Sequence, residues 1–564
     1  MKRIAILIIS ILFLAPIRSI AADDIEAVFS KIRQTDGVTT DSVHYTGSDR
    51  SKANGFRMQR GSGNGWTKGE RITVHSVKPK TLKHIMSTFK GYIDKGHGYS
   101  NNNWACLFFE PTKTFFGYEY SPENNTLWLL KASTDGEICI PGNWTEKTYL
   151  DATMHDPFAG ATEDQLKLLG LSRLWEGVNR WFVFRDRMTV DWDSLYVAAM
   201  PEMLAAKTRQ EWTDVLRRMA ANAHDGHTMV YGHNDLRHAP FTTIMIDSCV
   251  YIKDIYDDKL GIAIGDRIES IDNQPVIEYA DKNVVPYIAS STPQWTIHKA
   301  YDGFGLLNRL PDDTVRIKLG NGKTVEYVSG HYGKNTQTFG GRIFKFSKPT
   351  EDIAILKINS FMGSDFKRQF SELYDSIYES KALIIDVRNN GGGNSGNGDF
   401  ILRLICSDSI PTARWESPTT VPALKSWGKT AEPYRGGGEK MSPYQGVPLY
   451  SGPVAILTDR GTFSAAEDFV SLFRGVGRGI VIGTPTGGST GNGVVIELIP
   501  NHTWANICSK HDTAPDGTEF VGIGIIPDIT VNETWESIFN SETDIATSKA
   551  IEYLNGIINT MTEE

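Results

Sequence analysis

The chain has 564 residues, 40% of them hydrophobic and 22% charged, with a formal net charge of −9. These values exclude a disordered chain and leave room for about three or four globular domains. The acidic balance, without any basic aromatic stretch, excludes a nucleic-acid partner. The five cysteines are scattered without C-x-x-C spacing, so we expect no metal site and no disulfide framework, although one pair could bridge in an oxidising compartment. We also expect no cofactor. The cysteines are Cys106, Cys139, Cys249, Cys406 and Cys508.

Residues 1–21 have the pattern of a secretory signal peptide. Two basic residues follow the first methionine, residues 4–17 are almost uninterruptedly apolar, and Ala21 ends a small-residue cleavage site. We therefore expect the mature chain to begin at Ala22, in the periplasm or outside the cell. No other run approaches the roughly 18 apolar residues of a spanning helix, so no membrane span is predicted.

Residues 22–150 are predicted to form a β-rich accessory domain. They are rich in glycine, asparagine, threonine and aromatic residues, and they contain strand-like runs at 104–109, 115–118 and 127–130. Nothing in these residues indicates what the domain does.

Residues 151–235 change to a helical period and predict a small helical bundle. Apolar residues recur at 3.6-residue spacing over 171–182, and a second helix is predicted at 202–221. The zone ends in the string D-G-H-T at 225–228.

Residues 240–330 contain G-I-A-I-G-D-R-I-E-S-I-D-N-Q-P-V at 261–276. The string reads as a glycine-bounded turn, a short alternating strand, a tight Asp-Asn turn and another strand. It resembles the PDZ-domain pattern, and PDZ domains bind an extended peptide by adding it to a sheet edge. The preceding strand lacks the glycine-rich loop that usually captures a terminal carboxylate, so a peptide-binding, a regulatory and a structural role all remain open.

Residues 335–564 alternate buried strands with helices. Continuous apolar runs at 353–358, 383–387, 453–458 and 480–483 are typical of strands covered on both faces. Glycine turns and helical runs follow these strands, so this zone is predicted to be an α/β core. The whole chain is predicted to be multidomain, with both α+β and α/β parts.

Five motifs together are similar to the C-terminal-processing (tail-specific) and tricorn-core serine peptidase family. They occur in the family's order, and the resemblance covers about residues 160–535. It implies a crotonase-like core that acts as an endopeptidase on polypeptides, and it leaves the oligomeric state open. The motifs are D-G-H-T at 225–228, L-I-I-D-V-R-N-N-G-G-G at 383–393, T-D-R-G-T-F-S-A-A-E-D-F at 458–469, I-G-T-P-T-G-G at 482–488 and D-G-T-E-F-V-G-I-G-I-I-P-D-I at 516–529.

Ser464 is the predicted nucleophile. It follows a strand and a glycine turn and opens a helix, so its hydroxyl lies at the positive helix end. The N–H of Ala465 then faces the position of a tetrahedral oxyanion, and a second donor is expected from Gly392 or, as the second choice, Gly391. The competing interpretation is that Ser464 only caps this helix, with Glu467 three residues later.

The general base is predicted from the resemblance to be a histidine. Many tail-specific members use a lysine downstream of the serine, but Ser489 stands at that position here. The tricorn-like branch uses a histidine before the PDZ segment, which corresponds to His227. The glutamate that the resemblance implies beside Gly522 is replaced by Val521. Glu519 lies two residues earlier, on the same face of a predicted strand, and is the predicted carboxylate that orients this histidine, with Asp225 as the alternative.

Two other functions compete with a serine peptidase. His224, His227, His233 and His238 lie within fifteen residues and could hold a metal ion, but H-E-x-x-H is absent. A catalytically inactive peptidase-like domain that binds a peptide or hydrophobic ligand is the second alternative, because the family's lysine is missing.

Overall fold

In the computed structural model, the described residues are 160–563, with gaps at 233, 331–342, 501 and 540–543, and shorter stretches between 29 and 158. The predicted signal peptide lies outside the described residues. The chain divides into two compact units, Met1–Ala161 and Thr162–Glu564. No helix of the described part is long and apolar enough to cross a membrane.

The first unit contains an antiparallel sheet with strand order β1-β3-β7-β6-β5-β4. The helix of residues 79–93 packs on it, and the ring of Phe89 from this helix meets Tyr118 edge-on at 4.9 Å between centroids. The elements are β1 (Val38–Tyr45), β2 (Gln59–Arg60), β3 (Thr67–His75), α1 (Pro79–Ile93), β4 (Gly98–Asn101), β5 (Trp104–Phe109), β6 (Thr114–Ser121), β7 (Thr126–Thr134) and β8 (Ile138–Cys139).

The second unit begins with three helices, α2 (Glu163–Trp181), α3 (Trp192–Ala205) and α4 (Arg209–Ala221). The single helix predicted over 202–221 is wrong, because α3 ends before Thr208. The hydroxyl of Thr208 accepts the N–H of Glu211 at 3.2 Å and starts α4 as a new helix.

A β-rich module of residues 239–330, called the central module below, follows the helices. Its sheet has the order β10-β11-β12-β14-β15, with β13 paired to β12. The predicted second strand of the glycine-bounded string is only two residues long, because Val276 begins a helix. The elements are β9 (Met229–Gly232), which precedes the module, then β10 (Phe241–Ile246), β11 (Cys249–Ile255), β12 (Arg267–Ile271), β13 (Gln274–Pro275), α5 (Val276–Asn283), α6 (Pro293–Tyr301), β14 (Thr314–Leu319) and β15 (Thr324–Val328).

The core sheet is built on five parallel strands, with one antiparallel strand at its edge. Its strands are β16 (Phe344–Ser347), β17 (Ile353–Ile358), β18 (Ala382–Asp386), β23 (Val454–Thr458), β24 (Gly479–Gly483) and β28 (Ile529–Thr530). Helices cover both faces, which explains the continuous apolar runs of the strands. These helices are α7 (Phe366–Tyr378), α8 (Ser395–Ile405), α10 (Ala465–Gly475) and α12 (Ile545–Glu563).

Shorter elements surround this sheet, and some of them reach other parts of the unit. Strand β9 joins β25 and β26 in a three-stranded sheet, so the segment after the D-G-H-T string is anchored to the core. The shorter elements are β19 (Ile410–Pro411), β20 (Arg414–Ser417), α9 (Pro422–Ser426), β21 (Tyr434–Gly437), β22 (Lys440–Met441), β25 (Gly493–Ile499), β26 (Thr503–Cys508), β27 (His511–Thr513) and α11 (Trp535–Phe539).

Candidate active site

Ser464 occupies a strained turn between β23 and α10. Its backbone has φ 56° and ψ −126°, a region that non-glycine residues rarely adopt. The carboxylate of Glu467 and the carbonyl of Ser489 each accept the N–H of Ser464 at 3.2 Å. Strain of this kind persists only where neighbouring bonds hold it, and it concentrates at functional sites.

His227 lies beside Ser464 although 237 residues separate them in sequence. Its Nε2 atom is 2.9 Å from Ser464 Oγ. The main chain of His227 is fixed on both sides, because Asp225 Oδ2 accepts its N–H at 3.1 Å and Asn506 Nδ2 donates to its carbonyl at 2.6 Å. The structure therefore brings together the predicted nucleophile and the predicted base. Ser464 also directly precedes α10, and its N–H donates to the carboxylate of Glu467 at 3.2 Å, so the capping arrangement that the sequence offered as the competing interpretation is present beside the contact with His227.

The other ring nitrogen of His227 contacts Ser489, whose role the sequence did not reveal. Nδ1 is 2.9 Å from Ser489 Oγ, and this hydroxyl is 3.4 Å from Asp225 Oδ1. If Nε2 accepts the proton of Ser464, Nδ1–H donates to Ser489 and Ser489 donates to Asp225. A single direction of donation therefore runs from Ser464 through His227 and Ser489 to Asp225, and each partner fixes the next.

Glu519 does not lie beside His227, so its predicted orienting role is corrected. Its Oε2 atom is 2.6 Å from His511 Nε2 and 3.5 Å from the guanidinium of Arg187. Residues 514–528 form turns rather than a strand, so the alternation that placed Glu519 on the catalytic face does not apply. The alternative carboxylate, Asp225, is the one that the structure connects to the histidine.

Burial dominates the electrostatics of His227. Loss of hydration lowers the pKa of His227 from its ordinary value, and Lys510 lowers it further, whereas Asp225 and Asp512 raise it. The net direction is downward. The imidazole is therefore kept neutral, as a general base must be, at pH values where an exposed histidine would carry a proton.

Glu467 holds the loop that carries Ser489. Its carboxylate accepts the N–H groups of Gly488 at 2.7 Å and Ser489 at 3.0 Å, together with the hydroxyl of Thr486. The side chain is fully buried, and this burial raises the pKa of Glu467 to about 7 against the hydrogen bonds that favour its charged form. Glu467 thus connects the turn that carries Ser464 with the loop that carries Ser489.

The predicted oxyanion donors are placed unequally. Ala465 begins α10, and among the described residues none accepts its N–H. The N–H of Gly392 already donates to Asn390 Oδ1 at 2.9 Å, whereas no described residue accepts that of Gly391. Gly391 therefore has the N–H without an acceptor, whereas Gly392 lies closer to the nucleophile, since a methyl group on Gly392 would be 2.8 Å from Ser464 Cβ.

The histidines grouped in the sequence separate in the structure. His238 Nδ1 is 2.8 Å from Asn308 Oδ1, His224 is exposed, and His233 lies outside the described residues. Within the part of the chain that is described, no group of three or more histidine, cysteine or acidic side chains is arranged to hold a metal ion.

Comparisons with known proteins agree with the family resemblance. Residues 352–531 match the model of peptidase family S41. A carboxyl-terminal-processing protease of Synechocystis sp. is 24% identical over 216 residues, which are 37% of this chain and 45% of that protein. The chain thus matches less than half the length of this curated relative. The predicted relationship to C-terminal-processing peptidases is confirmed.

Solved structures resemble the fold. Mature CPAF has a TM-score of 0.55 at 15% identity, over 70% of this chain and 96% of that one. Its complex with lactacystin gives 0.52 at 15% identity, over 71% and 98%. At this identity the likeness concerns the fold alone, and it confirms the predicted multidomain fold of mixed α and β structure.

Proposed function

We propose that this chain is an exported serine endopeptidase in which Ser464 is the nucleophile and His227 the general base. The observation that carries the proposal is the 2.9 Å contact between Ser464 Oγ and His227 Nε2. A serine hydroxyl is a poor nucleophile unless a base lies within hydrogen-bond reach, and this contact supplies one. The match of residues 352–531 to a peptidase family supports the same reaction.

The geometry supports acyl transfer in two steps. As Ser464 Oγ attacks the peptide carbonyl, His227 Nε2 takes its proton and then gives it to the leaving amine. Water repeats the sequence on the acyl-enzyme and releases Ser464. The N–H groups of Ala465 and Gly391 stabilise the oxyanion in both steps. Asp225, acting through Ser489, stabilises the imidazolium that forms in between.

We propose unfolded or C-terminally accessible polypeptides as substrates. The curated relative is named for carboxyl-terminal processing. Ser464 lies in the connection that follows the carboxyl end of β23, and open α/β sheets bind their ligands in the crevice outside the carboxyl ends of the strands. In this proposal the core is crotonase-like and the central module is PDZ-like, as the motifs indicate.

Export is the third part of the proposal. The positive start, apolar run and cleavage site of residues 1–21 support it. Expressed in a Gram-negative host, the chain should be recovered outside the cytoplasm with Ala22 as its first residue. Mass spectrometry of the amino-terminal peptide decides this, and an intact Met1 in an exported product would contradict it.

Hydrolysis of a reduced and alkylated polypeptide tests the activity. The mature protein should cleave this substrate without added metal, and Ser464→Ala should cleave it at least about a thousandfold more slowly at equal fold. Undiminished cleavage by Ser464→Ala would overturn the serine assignment. Inhibition by a chelator that zinc reverses would instead indicate a metal hydrolase.

A further inference from the structure

An aromatic ring of the central module stacks on the phenylalanine that covers the histidine. Trp295, in α6, lies face to face with Phe463, with centroids 3.8 Å apart and planes 7° apart. Phe463 directly precedes the nucleophile and stacks on His227 at 4.9 Å and 11°. Trp295 is only 7% exposed. Three rings therefore lie one on another in the order Trp295, Phe463 and His227, and the first of them belongs to the central module.

The two residues before α6 also contact the two loops that support Nδ1 of the histidine. Ser291 Oγ accepts the N–H of Gly226 at 2.8 Å and donates to Asp225 Oδ1 at 3.5 Å. Thr292 Oγ1 donates to the carbonyl of Gly487 at 2.6 Å, two residues before Ser489. One segment of the central module thus contacts the loop that carries Asp225 and the loop that carries Ser489.

Gln294 adds a third anchor on the same loop. Its Nε2 donates to the carbonyls of Thr486 at 3.0 Å and Ile523 at 2.7 Å. Hydrogen bonds of a side-chain amide to two carbonyls fix the backbone that they join. The segment 291–295 therefore combines ring stacking with hydrogen bonds around the same histidine.

The edge of the module's sheet that lies next to α6 is used internally. Thr243, in β10, exchanges both backbone hydrogen bonds with Gly303 at 2.9 Å, and Arg460 of the core donates to the carbonyl of Met245 at 2.6 Å. At these positions the backbone groups that would pair with an added peptide strand already have partners. At these positions the geometry favours contact between the module and the core over the addition of a peptide strand to this edge.

We propose that Trp295 is a positioning residue for His227, acting through Phe463, and that residues 291–295 hold the catalytic histidine in its working orientation. The proposal rests on the proposed function. The ring of Trp295 stacks on Phe463 and on His298, so it acts on the catalytic histidine through a neighbour. Its substitution should therefore lower kcat and leave KM almost unchanged.

The stack also covers one face of the imidazole, because Phe463 lies on His227 and Trp295 lies on Phe463. Burial lowers the pKa of His227, and the charged groups that face it are Asp225, Asp512 and Lys510. Loss of the Trp295 ring admits water, so the pKa of His227 should rise toward its ordinary value of about 6.5. Activity requires the neutral imidazole, so the acid limb of kcat/KM should then move to higher pH.

The test compares two tryptophans that both join the central module to the core. Trp295→Leu removes the ring behind Phe463, and Trp535→Leu is the matched control. Trp535, in α11, donates from its Nε1 to the carbonyl of Gly265 at 3.2 Å, outside the catalytic loops. We expect Trp295→Leu to lose about tenfold or more in kcat, with KM changed less than about threefold and a shifted acid limb. Trp535→Leu should retain the wild-type limb, and Trp295→Phe, which keeps a flat ring, should recover most of the activity.

Two further measurements keep the test decisive. Gln294→Met breaks the bonds to Thr486 and Ile523 without touching the ring stack, and we expect it to lose about threefold or more in kcat. It carries the test if Trp295→Leu does not fold. A titration of the His227 ring by NMR follows its pKa directly, even in a protein that cleaves nothing. A wild-type protein that neither cleaves the polypeptide nor reacts with a fluorophosphonate at Ser464 would count against the proposed function. An active wild type whose Trp295→Leu or Gln294→Met variant matches Trp535→Leu in kcat and acid limb would overturn the positioning role.

Discussion

The Nδ1 atom of His227 lies 2.9 Å from Ser489 Oγ, and Ser489 stands where many tail-specific peptidases have a lysine. In this chain the residue at that position contacts the proposed base, which comes from another part of the chain. Ser489 is fully buried and passes the contact on to Asp225. The missing lysine is thus compatible with a complete catalytic arrangement.

Ser489→Ala should lose at least about tenfold in kcat while binding substrate normally, because Nδ1 of His227 would no longer have a partner that fixes its tautomer. The N–H bond from residue 489 to Glu467 survives this change, so the loop should keep its shape. Glu519→Gln is the matched comparison, and its kcat should stay within about threefold of wild type, since Glu519 contacts His511 and Arg187 instead. Steady-state kinetics on one peptide substrate measures both. A larger loss for Glu519→Gln than for Ser489→Ala would restore the carboxylate that the sequence suggested.

The sequence led to the proposed nucleophile and the proposed base because each lies in a short motif of the family that the chain resembles. Ser464 follows a strand and opens a helix, and His227 belongs to a four-residue motif, so neither needed knowledge of distant contacts. The parallel core strands were equally predictable from their continuous apolar runs. Burial on both faces imposes that pattern wherever the strands occur in the chain.

The residues that support the histidine could not be predicted in this way. Ser489 is 262 residues from His227, and its partner is decided only when β9 and β26 pair and bring the two loops together. Glu519 was chosen by strand alternation, which fails in a segment of turns. Trp295 is an ordinary buried aromatic residue by sequence, and only its stacking on Phe463 distinguishes it.

Gly392→Ala should displace the nucleophile. A Cβ at this residue would lie 2.8 Å from both Ser464 Cβ and the nitrogen of Ala465, and its φ of +93° disfavours any side chain. We expect kcat to fall by about a hundredfold or more, because small displacements of reacting groups have effects of this size. Gly556→Ala, where a methyl group meets no atom within 4 Å, is the control for general effects of glycine replacement. Wild-type kcat in a folded Gly392→Ala protein would show that this close packing is not needed for catalysis.

Glu467→Gln should change how stability depends on pH. Burial raises the pKa of Glu467 to about 7, above the 4.5 of an exposed glutamate, so the native state binds this proton more tightly than the unfolded state. The resulting stabilisation is fully present below about pH 4.5 and is lost as the pH rises through about 7. The Tm of wild type relative to Glu467→Gln should therefore fall between pH 5 and pH 8. A Tm difference that stays constant over this range would mean that Glu467 keeps an ordinary pKa in the folded protein.

The rate at which a fluorophosphonate modifies Ser464 tests the central pairing most directly. The rate is measured at pH 7.5 for wild type, His227→Ala and His224→Asn, with the labelled residue identified by mass spectrometry. His224 is exposed and has a φ of +51°, a conformation that asparagine tolerates, so His224→Asn controls for losing a nearby histidine. We expect label on Ser464, a wild-type rate for His224→Asn, and a rate at least about a hundredfold lower for His227→Ala. Label on another serine, or a His227→Ala rate within about tenfold of wild type, would contradict the pairing of Ser464 with His227.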